Sequence, residues 1–280
     1  PLWKRGIKGD FFNKSRQIPP NLPFLKGGIN CMYLRTDAIV ISKRNFREND
    51  RIITFYSRIY GKLDVLVKGI RKIENRFGST LELFTYNEIL LWEKKKGALL
   101  ILTQCQTKES FFKIRSDLKK IAAAFYITDL AGELTKEKDK NIGIFNLLFA
   151  FLYLLENTNK PGIIVSSFQL RLLYILGFGP ELDKCVNCKN VIIKDIQYFS
   201  FPLGGIICKN CVRFSSSNIS LNHETAAIMK KIIRIPLNRI ENVVVSQVIL
   251  KKIEYLFSLY IFYHLDKKIK SKKIMEKLFK

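Results

Sequence analysis

Three observations predict an α+β chain with a small N-terminal OB-type β-barrel, a following α-helical domain and a four-cysteine metal-binding insertion. Short β-branched runs recur between residues 37 and 109, and helical periodicity replaces them from residue 116 onward. Four cysteines then fall as Cys185-Val-Asn-Cys188 and Cys208-Lys-Asn-Cys211, with nineteen residues between the pairs, enough for a short hairpin. A chain of 280 residues is long enough for two or three domains. The expected divisions are residues 32–110 for the barrel and 111–280 for the helices, with the cysteine insertion at 181–213.

Residues 1–31 stand apart. They hold four of the eight prolines and no sustained period, and the stretch from Leu2 to Gly9 is loosely echoed at 23–29. Periodic structure begins just after Met32, the first methionine, so residues 1–31 are expected to be a non-native or disordered extension.

Strands are expected over 37–42, 51–56, 61–67, 83–93 and 98–106, with Lys94-Lys95-Lys96-Gly97 as the hairpin between the last two. Five strands of this length suit an OB-type barrel, and an SH3-like barrel is the rival that spacing alone leaves open. Ser116 is the expected N-cap of a helix running to residue 134, with Leu118, Ile121, Ala122, Phe125 and Leu130 available for its apolar face. The apolar stretch 142–155 is too short for a bilayer, which needs about 20 residues. With 162–177 it reads as a helical hairpin, turned by Pro161 and Gly162. Asn222 can cap a helix over 223–233, a further helix is expected over 248–265, and the lysine-rich tail 267–280 has amphipathic spacing.

The cysteine spacing suits one structural zinc ion held by Cys185, Cys188, Cys208 and Cys211, each Cys-x-x-Cys turn presenting two sulfurs. A pair of disulfides is the alternative. With no secretory signal read in the sequence, a reducing cytoplasm and zinc are expected. Four thiolates leave no open coordination position, so the metal would hold a fold rather than activate water. Cys31 and Cys105 fall outside the pattern.

The formal charge is +24, and it is still +19 without residues 1–31, which carry six basic residues and Asp10. That excess implies a polyanion partner, the bland alternative being a lysine-rich composition from an AT-rich genome. In the barrel, Lys43, Arg44, Arg47 and Arg51 gather near the first connection, and Lys62, Lys68, Arg71, Lys72 and Arg76 crowd the third strand and its following loop. These are candidate phosphate contacts, with Gly69 allowing the backbone to turn. Phe46, Tyr56, Tyr60 and Phe77 are the nearest aromatics for base stacking. Catalysis finds little support. The two histidines, His223 and His264, sit in no nucleophile or metal pattern, and no Gly-x-x-x-x-Gly-Lys-Ser/Thr loop is present.

Three stretches together resemble the RecO family of bacterial DNA repair proteins. They are Gly61-Lys62-Leu63 leading to Val67-Lys68-Gly69-Ile70-Arg71-Lys72, the run from Ser167 through Gly177-Phe178-Gly179-Pro180 to Leu182, and the cysteine knuckles with Tyr198-Phe199-Ser200 and Gly204-Gly205-Ile206-Ile207-Cys208. The likeness covers residues 32 to about 265. It implies an OB fold, a helical domain with a zinc-binding insertion, and a recombination mediator rather than an enzyme. Such proteins bind single- and double-stranded DNA, anneal complementary strands, and with RecR load RecA on DNA coated by single-stranded DNA-binding protein, in the cytoplasm at the nucleoid. Carried over by position, Lys62, Lys68, Arg71 and Lys72 are expected DNA contacts and the four cysteines zinc ligands, although some family members lack these cysteines. The family also binds the C-terminal tail of single-stranded DNA-binding protein, for which Lys113, Arg115, Lys119 and Lys120 are candidates. The readings from other classes are a zinc-ribbon nuclease, marked by magnesium dependence, and a general RNA-binding OB protein.

Overall fold

The computed structural model describes residues 32–72, 77–192, 197–266 and 269–279, so the expected extension at 1–31 lies outside the described residues. Five strands, β1 (Met32–Phe46), β2 (Asp50–Ser57), β3 (Gly61–Val67), β4 (Tyr86–Glu93) and β5 (Leu100–Glu109), form an OB-like barrel in the order β1-β2-β3-β5-β4. The parallel seam between β3 and β5 is short, with only Val65↔Leu100 and Leu66↔Ile101 in register.

β1 is longer than the expected 37–42. Its first half pairs with β4 and its second with β2, and one strand can track two neighbours around a barrel only by bending. A bulge between Val40 and Ser42 supplies the bend. Strand alternation then serves two cores at once. Ala38 and Val40 fill the barrel with Phe55, Val65 and Leu91, while Ile39, Ile41 and Tyr56 point outward into the helices. β4 begins at Tyr86 rather than at residue 83, because Phe84 takes a left-handed φ of 72° and stacks edge-on against Phe125 at 5.2 Å. The Lys94–Gly97 turn is present, with Gly97 at φ 83° and its N–H donating to Glu93 Oε1 at 2.9 Å.

A four-residue helix, α1 (Phe112–Arg115), precedes α2 (Leu118–Leu134). The cap of α2 is Asp117, whose carboxylate accepts from the N–H groups of Lys119 and Lys120 at 2.8 and 3.0 Å. Ser116, the expected cap, instead closes α1 and donates its hydroxyl to Lys113 O. Leu118 is 69% exposed, whereas Ala123, Ala124, Tyr126, Ile127 and Ala131 are buried with the expected Ala122 and Leu130. α2 is surrounded by β1, α3 (Ile142–Asn157), α4 (Pro161–Ile175) and α7 (Ser271–Leu278), so no single stripe marks its buried side.

α3 (Ile142–Asn157) is capped by Asn141, and α4 (Pro161–Ile175) starts on proline, as the hairpin reading expects. Arg171 of α4 is buried and donates to Ile232 O and Ile235 O at 2.9 and 2.5 Å, closing the end of α5 (His223–Arg234). Asn222 caps α5 through Thr225 N–H. Between α4 and α5 lie β6 (Gln197–Ser200), β7 (Gly205–Cys208) and β8 (Asn218–Leu221), a three-stranded sheet in the order β7-β6-β8. The β6–β7 pair is the hairpin that the knuckle spacing predicts, and β8 is an addition to it. α6 (Gln247–Leu265) and α7 (Ser271–Leu278) complete the chain. Ser271 fastens α7 to α2, its hydroxyl donating to Asp129 Oδ2 at 2.6 Å. Among the described residues no helix is long and apolar enough to cross a membrane.

Candidate nucleic-acid interface and metal centre

The basic residues of the barrel separate into two groups. At one end the β1–β2 turn and the start of β2 are tied to the loop after β3 by two hydrogen bonds: Arg71 N–H donates to Asn49 O at 3.1 Å, and Gly69 N–H to the Asp50 carboxylate Oδ1 at 2.8 Å. Gly69 has φ 66°, a conformation that costs glycine little, and Lys72 N–H returns to Gly69 O at 3.1 Å. These bonds gather Arg47, Lys68, Arg71 and Lys72 on one exposed end. Arg47 lies with its guanidinium 5.3 Å above the Phe46 ring. Arg76 lies outside the described residues.

Lys43, Arg44 and Lys62 stand elsewhere, along a cleft of about 530 Å³ between the barrel and the helices α2 and α7. Carboxylates meet each of the first two. Lys43 Nζ is 3.0 Å from Glu82, with burial lowering its pKa, and Arg44 Nη2 is 2.5 Å from Asp64. Lys62 donates to Gly132 O at 2.6 Å and Thr135 O at 2.8 Å, satisfying carbonyls at the end of α2. Lys43 and Lys62 thus spend their charge within the fold, whereas Arg44 is paired but exposed. The aromatics divide too: Tyr56 and Phe77 are core residues with no face open to a base, and Tyr60 packs against the barrel interior. Phe46 alone of the four accompanies the basic end.

Beside Lys62, β3 starts at Gly61, where φ is 68° and a Cβ would fall 2.0 Å from Asp139 O. Only glycine admits this approach, which lets Lys138 N–H donate to Lys62 O at 2.9 Å. The barrel is thereby stitched to the α2–α3 connection.

In the knuckles, Lys189 N–H donates to Cys185 O and Cys211 N–H to Cys208 O, at 2.9 and 3.0 Å, closing two similar turns. The four sulfurs lie within 4.8 Å of one another. Zinc–sulfur bonds of about 2.3 Å in a tetrahedron need sulfurs somewhat under 4 Å apart, and Cys188 Sγ and Cys208 Sγ are at 3.9 Å. Both cysteine pairs remain free thiols. Burial opposes ionisation of Cys185, but hydrogen bonds from the backbone N–H groups of Cys208, Cys188 and Asn187 outweigh it and bring the thiol down to about 6. Burial and the adjacent Cys211 push Cys208 up to about 12. Four such sulfurs ionise together only around a cation, and the donor set fits a thiophilic one such as zinc. Cys185, Cys211, Phe199 and Ile206 belong to the same core as the helices, so the knuckles are part of the domain and not an appendage.

His223 sits at the exposed start of α5. His264 is held among Tyr260, Tyr263 and Phe178 at ring distances of 4.5, 5.3 and 5.1 Å, and burial lowers its pKa.

Two family models match this chain, "Recombination protein O N terminal" over residues 32–111 and "Recombination protein O C terminal" over residues 115–273. The chain belongs to the RecO family. The DNA repair protein RecO of Desulforamulus reducens is 31% identical over 246 residues, covering 88% of this chain and 95% of that one. RecO of Dehalococcoides mccartyi strain 195 is 32% identical over 237 residues, covering 85% and 92%, and that of Pelotomaculum thermopropionicum 31% over the same length, covering 85% and 91%. The boundary between the two RecO models falls on α1, where the barrel gives way to helices.

Proposed function

We propose that this protein is a DNA repair and recombination mediator that binds single- and double-stranded DNA, anneals complementary strands, and acts with RecR to load RecA on DNA coated by single-stranded DNA-binding protein. The observation that carries this reading is the exposed basic end of an OB-like barrel in a RecO family chain. Arg47, Lys68, Arg71 and Lys72 are the proposed phosphate contacts. Two complementary strands repel through their phosphates, and cations that neutralise both leave the base edges free to pair. The reaction so described needs no covalent step. Zinc on the four cysteines is proposed as a structural ion, supporting the sheet and the helices packed on it.

For the acidic, apolar tail of single-stranded DNA-binding protein, the proposed site is a cleft of about 810 Å³ where Lys119, Lys160 and Lys251 border Val244, Leu250 and Phe279. Of the four residues expected there, Lys119 lines the cleft. Arg115 and Lys120 donate to Ser110 O and Glu156 O at 2.6 and 3.0 Å, and neither they nor Lys113 lines the cleft. Burial pushes Glu254, which also lines the cleft, up to about 7, so near neutral pH it repels an acidic tail weakly. The deciding experiment is annealing of complementary oligonucleotides coated with the cognate single-stranded DNA-binding protein, without ATP or magnesium. Faster pairing is expected. Binding of bare DNA with no effect on coated strands would overturn the mediator reading.

A further inference from the structure

We infer that the zinc-knuckle side of the protein is a second single-stranded nucleic-acid surface, separate from the barrel end. The inference rests on the DNA-binding reading of the protein and adds a site to it. Between residues 184 and 214 the sequence holds five basic residues, Lys184, Lys189, Lys194, Lys209 and Arg213, against one carboxylate, Asp195, and Lys194 and Asp195 lie outside the described residues. The four described cations, Lys184, Lys189, Lys209 and Arg213, are exposed. The nearest preceding carboxylate, Asp183, is held by Arg234 at 2.7 Å and Lys230 at 3.4 Å. Since Cys185, Cys188, Cys208 and Cys211 converge on one point, Lys189 and Lys209, each next to one of these cysteines, stand on adjoining turns.

Offsetting the formal −2 of a zinc tetrathiolate explains two such cations, but it leaves the residues just after Cys211 without a reason. Phe214 is 61% exposed, and the Arg213 guanidinium lies 4.9 Å over its ring rather than against the sulfurs. An arginine and an aromatic paired in solvent form a platform on which a base can stack beside a phosphate contact. The platform has a continuation. Ser215 Oγ is 2.6 Å from Ser200 Oγ, and Phe201 N–H donates to Ser217 O at 3.1 Å, which fixes the Phe214 turn to the end of β6. There the Phe201 ring meets Tyr263, itself 48% exposed, at 6.1 Å. Exposed cations beside exposed aromatic rings such as Phe214 and Tyr263 favour a single strand, because the faces of bases in a duplex are already stacked on one another. With a strand at each surface, one molecule would hold two strands at once.

The test uses the full zinc-loaded chain and an oligothymidine carrying 5-iodouracil, photocrosslinked and mapped by peptide mass spectrometry. Crosslinks are expected both within residues 46–72 and at Phe214 or Tyr263. Crosslinks at 46–72 alone overturn the inference and leave the barrel reading standing. Crosslinks at Phe214 or Tyr263 alone uphold the inference and remove the barrel, and none at either removes both. As a second measurement, the double variant Arg213→Ala with Phe214→Ala is expected to bind fluorescent oligothymidine about tenfold more weakly at unchanged zinc content and Tm. Unchanged affinity in that variant overturns the inference.

Discussion

Lys62 and Lys68 stand at opposite ends of β3, and the fold uses them in opposite ways. Lys62 ends on two helix carbonyls, next to a glycine that lets two backbones touch. Lys68 ends in solvent beside Arg71 and Arg47. The contrast shows that a basic cluster in a sequence is a count of charges before it is a surface. Which cations remain open to DNA depends on the carboxylates and carbonyls that the fold brings to them.

Substitutions at the two ends should therefore fail in different assays. The largest effect is expected from Gly61→Ala, where the new Cβ meets Asp139 O and the left-handed backbone resists a side chain. Urea denaturation should show a loss of about 3 kcal/mol or more. Lys62→Ala should cost about 2 kcal/mol, because two part-buried carbonyls lose a charged donor, while the salt dependence of DNA binding stays as it was. A reduced salt slope in that variant would return Lys62 to the DNA interface. Replacing Lys68, Arg71 and Lys72 together by alanine reverses the pattern. Stability should stay within about 0.5 kcal/mol, and the slope of log K against log salt for duplex DNA should fall by about 0.9 for each phosphate that is no longer neutralised.

Glu254 gives a smaller effect with a defined sign. Burial raises its pKa from 4.5 to about 7, so the fold favours the protonated carboxyl. Its contribution is complete below about pH 4.5 and is lost as pH rises through about 7. Thermal unfolding of Glu254→Gln should lack this loss, leaving the variant more stable than the parent at pH 8 by roughly 1 to 2 kcal/mol. Equal stability at pH 8 would mean that the carboxylate finds solvent in the native state. Arg44→Ala should change stability least, within about 0.5 kcal/mol, since Arg44 itself is exposed and Asp64 keeps the hydrogen bond that Thr54 donates to it.

Much of this architecture is legible in the chain itself. Gly97, Pro161 and Asn222 mark turns and helix starts whose chemistry is local, and the cysteine spacing needs only one shared ion to make sense. What escapes is set by partners distant in sequence. Ser116 and Asp117 are both good caps, and the choice between them depends on α1, which is anchored by the far-off Glu156 through the N–H groups of Lys113 and Ile114. β8 is a four-residue strand that exists because β6 offers it an edge. Lys43, Arg44 and Lys62 look like phosphate ligands until Glu82, Asp64 and the end of α2 arrive beside them.

The alternation of β1 limits how far the barrel is a module. By turning Ile39 and Ile41 outward to join the helical core, it leaves the barrel with a greasy flank that no solvent-facing module could tolerate. Grafting residues 32–110 onto another protein would carry that flank along, so a transplant that keeps the barrel soluble must redesign Ile39, Ile41 and Tyr56 or bring α2 with it.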